Sequence, residues 1–137
     1  MNKWKFLLFF LLSAIQLTAF ASPKEKKNKS EEPKEIYMYG VSVDFNDSTV
    51  YITDIQSFDS MTINTDGSLR NYSDYSLQLK VYLEGTVGET NQTCAVIYSE
   101  KKKKLEKHFI KMRKKYQSDP NKILKRIGTD AFTFQKR

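Results

Sequence analysis

The sequence predicts an α+β domain in which two helices pack on one side of a mostly antiparallel sheet. Apolar and polar residues alternate on both sides of a polar turn at 46–48, a pattern typical of a β-hairpin. The continuous apolar run at 93–98 has the length of a buried strand, and an amphipathic segment with helical spacing follows at 100–116. A sheet and helices of this kind bury their apolar faces against one another, which gives a layered fold around one core.

The hairpin is the clearest element in the first half of the chain. Its strands are predicted at residues 36–45 and 49–55, both of which are rich in β-branched and aromatic residues. The stretch 56–72 has the composition of a loop, although residues 61–64 could form a short strand. The predicted sheet therefore begins with two adjacent antiparallel strands.

Residues 73–84 are ambiguous by pattern, since their apolar side chains fit the alternation of a strand and also one face of a helix. Ser73 and Asp74 form a good helix start, and Gly85 is a good helix stop. These end signals favour a helix. Because apolar residues occur on both sides of this helix, it is predicted to be largely buried.

The second half of the chain is predicted to add the buried strand, a helix and two short strands. The helix at 100–116 has one apolar face, formed by Leu105, Phe109, Met112 and Tyr116. The short strands are predicted at 123–127 and 131–134, around a turn that contains Gly128. The complete order is β-β-α-β-α-β-β, within a single domain that covers residues 36–137.

The segment 1–21 has the features of a secretory signal peptide. A short basic start precedes an apolar run at 6–20, and the triplet at 19–21 matches an A-x-A cleavage site. The run of fifteen residues is shorter than the roughly twenty that span a bilayer, so cleavage after Ala21 is favoured over a membrane anchor. Residues 22–35 contain two prolines and nine charged side chains and are predicted to be a disordered linker. The mature protein is therefore expected to be periplasmic or secreted, without a stable membrane span.

The composition excludes several classes of site. A single Cys cannot form an intramolecular disulfide or a CxxC redox site, and a single His cannot supply two imidazole ligands to a metal. His108 is interpreted as a histidine at the edge of the apolar helix face, and Cys94 as a small buried residue. Asp44 and Asp54 flank the hairpin turn and could face each other, but the spacing of a calcium loop is missing. We therefore predict no enzyme activity, no metal and no cofactor.

Charge is distributed very unevenly along the predicted domain. Residues 36–100 contain nine acidic and two basic residues, whereas residues 101–137 contain fourteen basic and three acidic ones. The lysines of the second helix fall opposite its apolar face or beside that position: Lys103, Lys104, Lys107, Lys111, Lys114 and Lys115. This pattern is typical of a solvated surface. It also fits a docking face for a polyanion such as lipopolysaccharide, an acidic glycan or nucleic acid.

Three functional hypotheses follow from these features. The leading one is an exported, non-enzymatic binding or accessory protein of the cell envelope with an unknown partner, because the chain combines an export signal and a linker with no catalytic set. The second is non-specific polyanion binding through the helix at 100–116. The third, a hydrolase, rests only on His108 with some Ser or Asp, since the sequence contains no GxSxG motif.

Four blocks of the sequence carry a family resemblance: YGVSVDFNDSTVYITDIQ, YSLQLKVYLEG, NQTCAVIYSEKKKKLEK and DAFTF. In this order they resemble small exported proteins of Bacteroidales for which no function is established. The resemblance covers residues 36–134. It implies a helix at 73–84, and it implies no activity, cofactor or catalytic residue.

The same resemblance implies two sites of modification. Exported proteins of such bacteria are often O-glycosylated at Asp followed by Ser or Thr and then by Thr or an apolar residue. Ser48 and Ser60 follow Asp47 and Asp59 in this pattern, and both serines lie in predicted turns or loops. They are therefore the candidate acceptors.

The intact mass of protein isolated from its natural host tests export and modification together. Cleavage after Ala21 should give a chain that begins at Ser22, because small residues occupy the cleavage triplet. A mass above that of the bare 22–137 chain, with the increment on peptides that contain Ser48 or Ser60, is the result expected for glycosylation. A bare mass would exclude the modification, and a chain that starts at Met1 would contradict cleavage.

Overall fold

The structure is a computed structural model that describes residues 32–137. Within these residues it is an α+β fold with two helices and a mostly antiparallel five-stranded sheet. The predicted signal peptide and most of the predicted linker lie outside the described residues. The elements are β1 (Pro33–Val43), β2 (Thr49–Thr53), β3 (Gln56–Thr62), α1 (Tyr72–Tyr82), β4 (Thr93–Ser99), α2 (Lys102–Gln117) and β5 (Ile123–Ile127). Because β1 begins at Pro33, the last three residues assigned to the linker belong to a strand.

Strand β1 lies at the centre of the sheet. Its second half pairs with β2, its first half pairs with β3, and residues 37–43 pair with β4, all in antiparallel orientation. A strand has only two edges, so β2 and β3 follow one another along one edge of β1 while β4 occupies the other edge. Strand β5 pairs with β2 in parallel and forms the far side of the sheet.

The side chains of β1 alternate between the two faces of the sheet, and each face carries one helix. Ile36 and Met38 belong to a core cluster with α1, whereas Tyr39 and Val41 belong to a second cluster with Leu105 of α2. The helices therefore lie on opposite faces, and the prediction that both pack on one side is wrong. The physical reason is that β1 is buried on both faces, so its apolar residues form a nearly continuous run.

The predicted hairpin is confirmed, and it continues into a third strand. β1 and β2 pair in antiparallel register up to Val43 and Val50, beside the predicted polar turn. Strand β3 occupies part of the stretch predicted as loop, because β1 is long enough to pair with β2 and β3 in succession. The register between β1 and β3 shifts at a bulge, where Ser60 adopts a positive φ of 55°. Ser60 thus lies in a strand, and its predicted place in a loop is wrong.

The first predicted helix is confirmed as α1, but two of its features differ from the prediction. Its outer surface is open, since Leu77 and Val81 are 55% and 61% exposed, so the helix is not largely buried. It also continues past Gly85, because Leu83–Val87 forms a π-helical turn. This turn ends at Gly88, whose φ of 84° is left-handed and favours glycine.

The strand predicted at the end of the chain does not form, and two glutamine side chains hold this segment instead. The Gln56 amide donates to the carbonyl of Phe132 at 3.2 Å and accepts from the N–H of Phe134 at 2.9 Å. Gln78 makes the same pair of bonds with the backbone of Gln135, at 2.9 and 2.6 Å. Each side-chain amide thus supplies the donor and the acceptor that the backbone of a neighbouring strand would otherwise provide. The rings of Phe132 and Phe134 lie in the core cluster that contains α1. The remaining predictions of the second half, the strands β4 and β5 and the helix α2, are confirmed.

Gly40→Ala should destabilise the fold, because α1 leaves no room for a side chain at this position of β1. A Cβ there would lie 2.5 Å from the Leu79 Cδ2 atom and 3.2 Å from the ring of Phe134. Overpacking of this kind costs about 1–3 kcal/mol of unfolding free energy, which urea unfolding would measure. Gly85→Ala is the matched control, since a Cβ at that position meets nothing within 4 Å. Equal stability of the two variants would contradict this account of the packing.

Candidate functional site on helix α2

Helix α2 is anchored to the sheet by a single apolar stripe. Leu105 is 2% exposed and packs in the cluster with Tyr39, while Phe109, Met112 and Tyr116 are partly buried beside it. The rings of Phe109 and Tyr39 meet edge to face, with 5.0 Å between their centroids. Because these residues recur at helical spacing, the opposite side of α2 faces solvent.

The solvent side of α2 carries six exposed lysines, which we call the lysine face: Lys103, Lys104, Lys107, Lys111, Lys114 and Lys115. Within residues 32–137, none of these six ammonium groups forms an ion pair with a carboxylate. Ion pairs in this part of the chain instead join Lys34 to Glu100, Lys80 to Glu84, Lys102 to Glu106 and Arg126 to Asp54. The acidic half of the domain therefore does not neutralise the lysine face by direct contact.

The lysine face brings like charges within one helical turn of each other. Lys103, Lys107 and Lys111 are successive i, i+4 neighbours, and each such pair costs a few tenths of a kcal/mol. The first turn of α2 contains lysines and no acidic residue, although the helix dipole disfavours positive charge at this end. The helix therefore gives up some stability to present positive charge, and the packing of its apolar stripe compensates for this.

His108 lies at the edge of the lysine face and is hydrogen-bonded to a buried residue of the sheet. Its Nδ1 atom is 2.6 Å from the hydroxyl of Tyr39, a side chain of β1 that is fully buried. The imidazole itself belongs to an exposed residue, so the ring connects the core to the solvent surface. Burial raises the pKa of Tyr39 to about 12, so this hydroxyl keeps its proton at neutral pH.

The pattern of the sequence did not predict the bond between Tyr39 and His108. The two residues are 69 positions apart, on a strand and on a helix, and no local pattern relates them. The only available signal was the position of His108 one turn from Leu105, which places its ring where the helix meets the sheet.

The other candidate residues are not brought together in one site. Cys94 is half-buried on β4, where its thiol donates to the Ser42 hydroxyl at 3.2 Å and burial raises the pKa of the thiol. Asp44 accepts a backbone hydrogen bond in its own turn, whereas Asp54 pairs with Arg126 at the other end of β2, so the two carboxylates do not face each other. Across residues 32–137, no three His, Cys, Asp or Glu side chains are grouped so that they could hold a metal ion.

The two candidate glycosylation sites differ in accessibility. Ser48 is half-buried in the turn after β1, where its hydroxyl is 3.4 Å from Asp47 and its carbonyl accepts from the N–H of Ile123. Ser60 is exposed at the bulge of β3. Of the two hydroxyl groups, that of Ser60 is therefore the easier one for a modifying enzyme to reach.

Comparisons with protein-family models, with curated proteins and with solved structures gave no match to this chain. In the described part of the chain, neither helix combines the length and the apolar character needed to cross a bilayer. The functional argument therefore depends on the geometry and charge of the lysine face and on the groups around it.

Alkaline pH should weaken the fold through its buried tyrosines. Burial is the main reason why the folded-state pKa of Tyr39 is about 12, and the same holds for Tyr51. A tyrosine in the unfolded chain ionises near about pH 10, so above this pH the unfolded state releases protons that the folded state retains. The stabilising effect is complete below about pH 10 and is lost as the pH rises toward about 12.

Urea unfolding at a series of pH values between about 8 and 11 would measure this loss. Tyr39→Phe should show a smaller decrease in unfolding free energy above about pH 10 than the parent protein, because one of the phenols whose pKa is raised by burial is gone. The ultraviolet absorbance of tyrosinate should rise in two stages, with the shifted tyrosines in the later one. A decrease as steep in Tyr39→Phe as in the parent would contradict the role assigned to this residue.

Proposed function

We propose that this chain is an exported, non-enzymatic binding module of the cell envelope, and that its lysine face binds anionic polymers. The ligands of this class are lipopolysaccharide, acidic glycans and nucleic acid, which share closely spaced negative charges. The observation that carries the proposal is the set of six exposed lysines on one side of α2, without an ion pair among the described residues. Such a surface binds a polyanion by displacing its condensed counterions.

The concentration of charge favours binding over simple solvation. A surface needs only interspersed charges of both signs to keep a small protein soluble. Here nine of the ten Lys, Arg, Asp and Glu residues at 101–117 are basic, and they repel one another along the helix. A polyanion would relieve this repulsion, which is the physical advantage of the arrangement.

The chemistry of the face favours non-specific recognition. A lysine ammonium is a point charge and lacks the planar fork with which arginine binds a phosphate or carboxylate in two places. The one arginine of α2, Arg113, lies over the ring of Phe109 at 5.7 Å and not among the six lysines. No aromatic residue belongs to the lysine face, so stacking on nucleic-acid bases has no support. Affinity should therefore depend strongly on salt and weakly on sequence.

The arrangement around His108 supports a role without catalysis. A hydrolase of the Ser–His type needs a nucleophile within hydrogen-bond reach of the imidazole and a group that orients the ring. Within residues 32–137, the side chain bonded to His108 is that of Tyr39, and the ring has no Ser, Cys or Asp partner. The hydrolase hypothesis thus gains no support from this geometry.

The protein from Ser22 onward should bind heparin, lipopolysaccharide and a DNA duplex at low salt, because each carries a dense row of anions. With the duplex, a plot of log affinity against log salt should have a slope of about −5 if all six lysines engage phosphates. Fluorescence anisotropy of the labelled ligands would measure the affinities, and their ranking would show which source of anionic charge is preferred. If the protein bound none of the three ligands at low salt, the proposed function would be overturned.

Charge reversal at three positions of the lysine face should make the slope of log affinity against log salt shallower by about 3, because three fewer phosphates are neutralised. The test variant is Lys107→Glu, Lys111→Glu, Lys114→Glu. Glutamate has nearly the helix propensity of lysine. The exchange turns the i, i+4 pairs 103/107 and 111/115 into pairs of opposite charge and leaves 107/111 a like-charge pair, so the variant should be about as stable as the parent.

The matched control is Lys125→Glu, Lys136→Glu, Arg137→Glu, which has the same net charge and alters exposed residues outside α2. It should keep most of the affinity and most of the salt dependence. If both variants lost binding to the same extent, net charge alone would explain the binding and the lysine face would not be the site.

A further inference from the structure

We infer that the lysine face binds lipopolysaccharide in preference to acidic glycans and nucleic acid, because an exposed apolar side chain, Ile110, lies among its charges. The inference rests on the proposed function and names the preferred ligand of the same site. Lipopolysaccharide is the member of the proposed ligand class whose phosphates are attached to a lipid. A surface with both cations and an apolar contact fits such a ligand, whereas heparin and the backbone of DNA offer it only anions.

Ile110 lies on the solvent side of α2 and has no packing role in the described part of the chain. It is 50% exposed, and it belongs neither to the two core clusters nor to the partly buried residues packed against them. One step along a helix turns the side chain by about 100°, so Ile110 points away from the apolar stripe that contains its neighbour Phe109. Isoleucine also has a lower helix propensity than lysine or glutamate. Neither packing nor helix propensity therefore accounts for an isoleucine at this position.

The surroundings of Ile110 on the helix surface are cationic. Three lysines lie one or two helical turns from it on the same side of α2: Lys103, Lys107 and Lys114. Glu106 lies one turn before Ile110 as well, but its charge is compensated by Lys102 at 3.9 Å. An isolated exposed isoleucine is ordinary on a protein surface, so the position of this one among lysines is the feature that points to a ligand.

Lysine and isoleucine side chains of this kind can contact different layers of a lipid assembly at the same time. The stem of a lysine is aliphatic and flexible, so the ammonium group can stay at the level of the phosphates while the stem lies along apolar surface. The shorter side chain of Ile110 can then reach the boundary of the acyl chains, as the apolar residues of interfacial helices do. The ligand would thus receive electrostatic and apolar contacts from one helix face.

The lysine face is also wide enough to contact a two-dimensional array of anions. Its lysines form two rows that the helical repeat places about 80° apart around the axis, with Lys103, Lys107 and Lys114 in one row and Lys104, Lys111 and Lys115 in the other. Together the rows extend for about 18 Å along the helix. A single anionic chain follows one row, whereas the phosphates at the surface of a lipid assembly extend in both directions and engage both rows.

Removal of the acyl chains from lipopolysaccharide tests the inference, because the deacylated molecule keeps the phosphates and the sugars. The protein from Ser22 onward should bind the intact form more tightly than the deacylated form when both are titrated by calorimetry at equal phosphate concentration. In Ile110→Ser, binding to the intact form should be about tenfold weaker, which corresponds to the loss of about two buried methylene groups. Binding of this variant to the deacylated form and to a DNA duplex should change by less than about twofold, since all six lysines remain.

Two further variants control for exposure and for helix stability. Ile123→Ser is the matched control, since Ile123 is 55% exposed and lies at the start of β5, outside the lysine face. It should bind all three ligands like the parent. Ile110→Leu keeps an apolar side chain and should also bind like the parent. Serine has about the helix propensity of isoleucine and leucine has a higher one, so α2 should remain intact in both variants at position 110.

Equal affinity of Ile110→Ser and the parent for intact lipopolysaccharide would overturn the inference and leave the proposed function intact. The same conclusion would follow if the parent bound the intact and deacylated forms equally well, or if Ile110→Ser lost all three ligands to the same extent. A loss in Ile123→Ser or Ile110→Leu as large as in Ile110→Ser would also contradict an apolar contact at this position. If the parent bound none of the three ligands, both the inference and the proposed function would fail.

Discussion

The burial of β1 on both faces is the constraint on which the rest of the structure depends. Ile36, Met38, Tyr39 and Val41 are at most 7% exposed, although they point alternately to opposite sides of the sheet. Each face must therefore be covered by a separate element, and α1 and α2 supply the two covers. Even the polar position Ser42 is buried, and its hydroxyl is satisfied by the side-chain carbonyl of a glutamine just before β4.

Because a different helix covers each face of the sheet, most of the packing that stabilises the domain is separate from the charged surface of α2. The face under α1 is closed by the helix and by two phenylalanine rings from the end of the described chain. The face under α2 buries only a small part of its helix, since Leu105 is the one residue of α2 that is fully buried. Most of the surface of α2 is consequently free of packing constraints. A helix held by a narrow stripe can carry many lysines on its remaining surface.

Local patterns were sufficient for the elements that depend on local physics. Alternation and turn chemistry predicted the hairpin, and helical spacing predicted α2 together with its apolar stripe. The six lysines followed from the same spacing, because the solvent side of a helix is fixed once its buried side is known. The C-terminal end of α1 was less predictable. Gly85 is a typical helix-stop residue in the local sequence, but the π-helical turn extends the helix beyond it.

Features set by distant partners could not be predicted in this way. The periodicity of a helix gives its buried side and contains no information about which face of the sheet receives it. Strand β3 forms because β1 is long enough to pair with two strands in succession, and its own residues, QSFDSMT, alternate poorly. The contact between Tyr39 and His108 likewise depends on the complete sheet, because the residues meet only after β1 and α2 have packed together.

The glutamine-held segment has a consequence for the order of folding. Gln56 is hydrogen-bonded to Phe132 and Phe134 across 76 and 78 residues of sequence, so these contacts join distant parts of the chain and raise the contact order of the domain. Closing such long loops costs chain entropy before the burial of the two rings can stabilise the structure, and this slows folding. A nascent chain that has reached Gly128 still lacks both phenylalanines of the α1 core. The core under α1 should therefore remain incompletely packed until residues 132–134 have been synthesised, and then consolidate in one cooperative step.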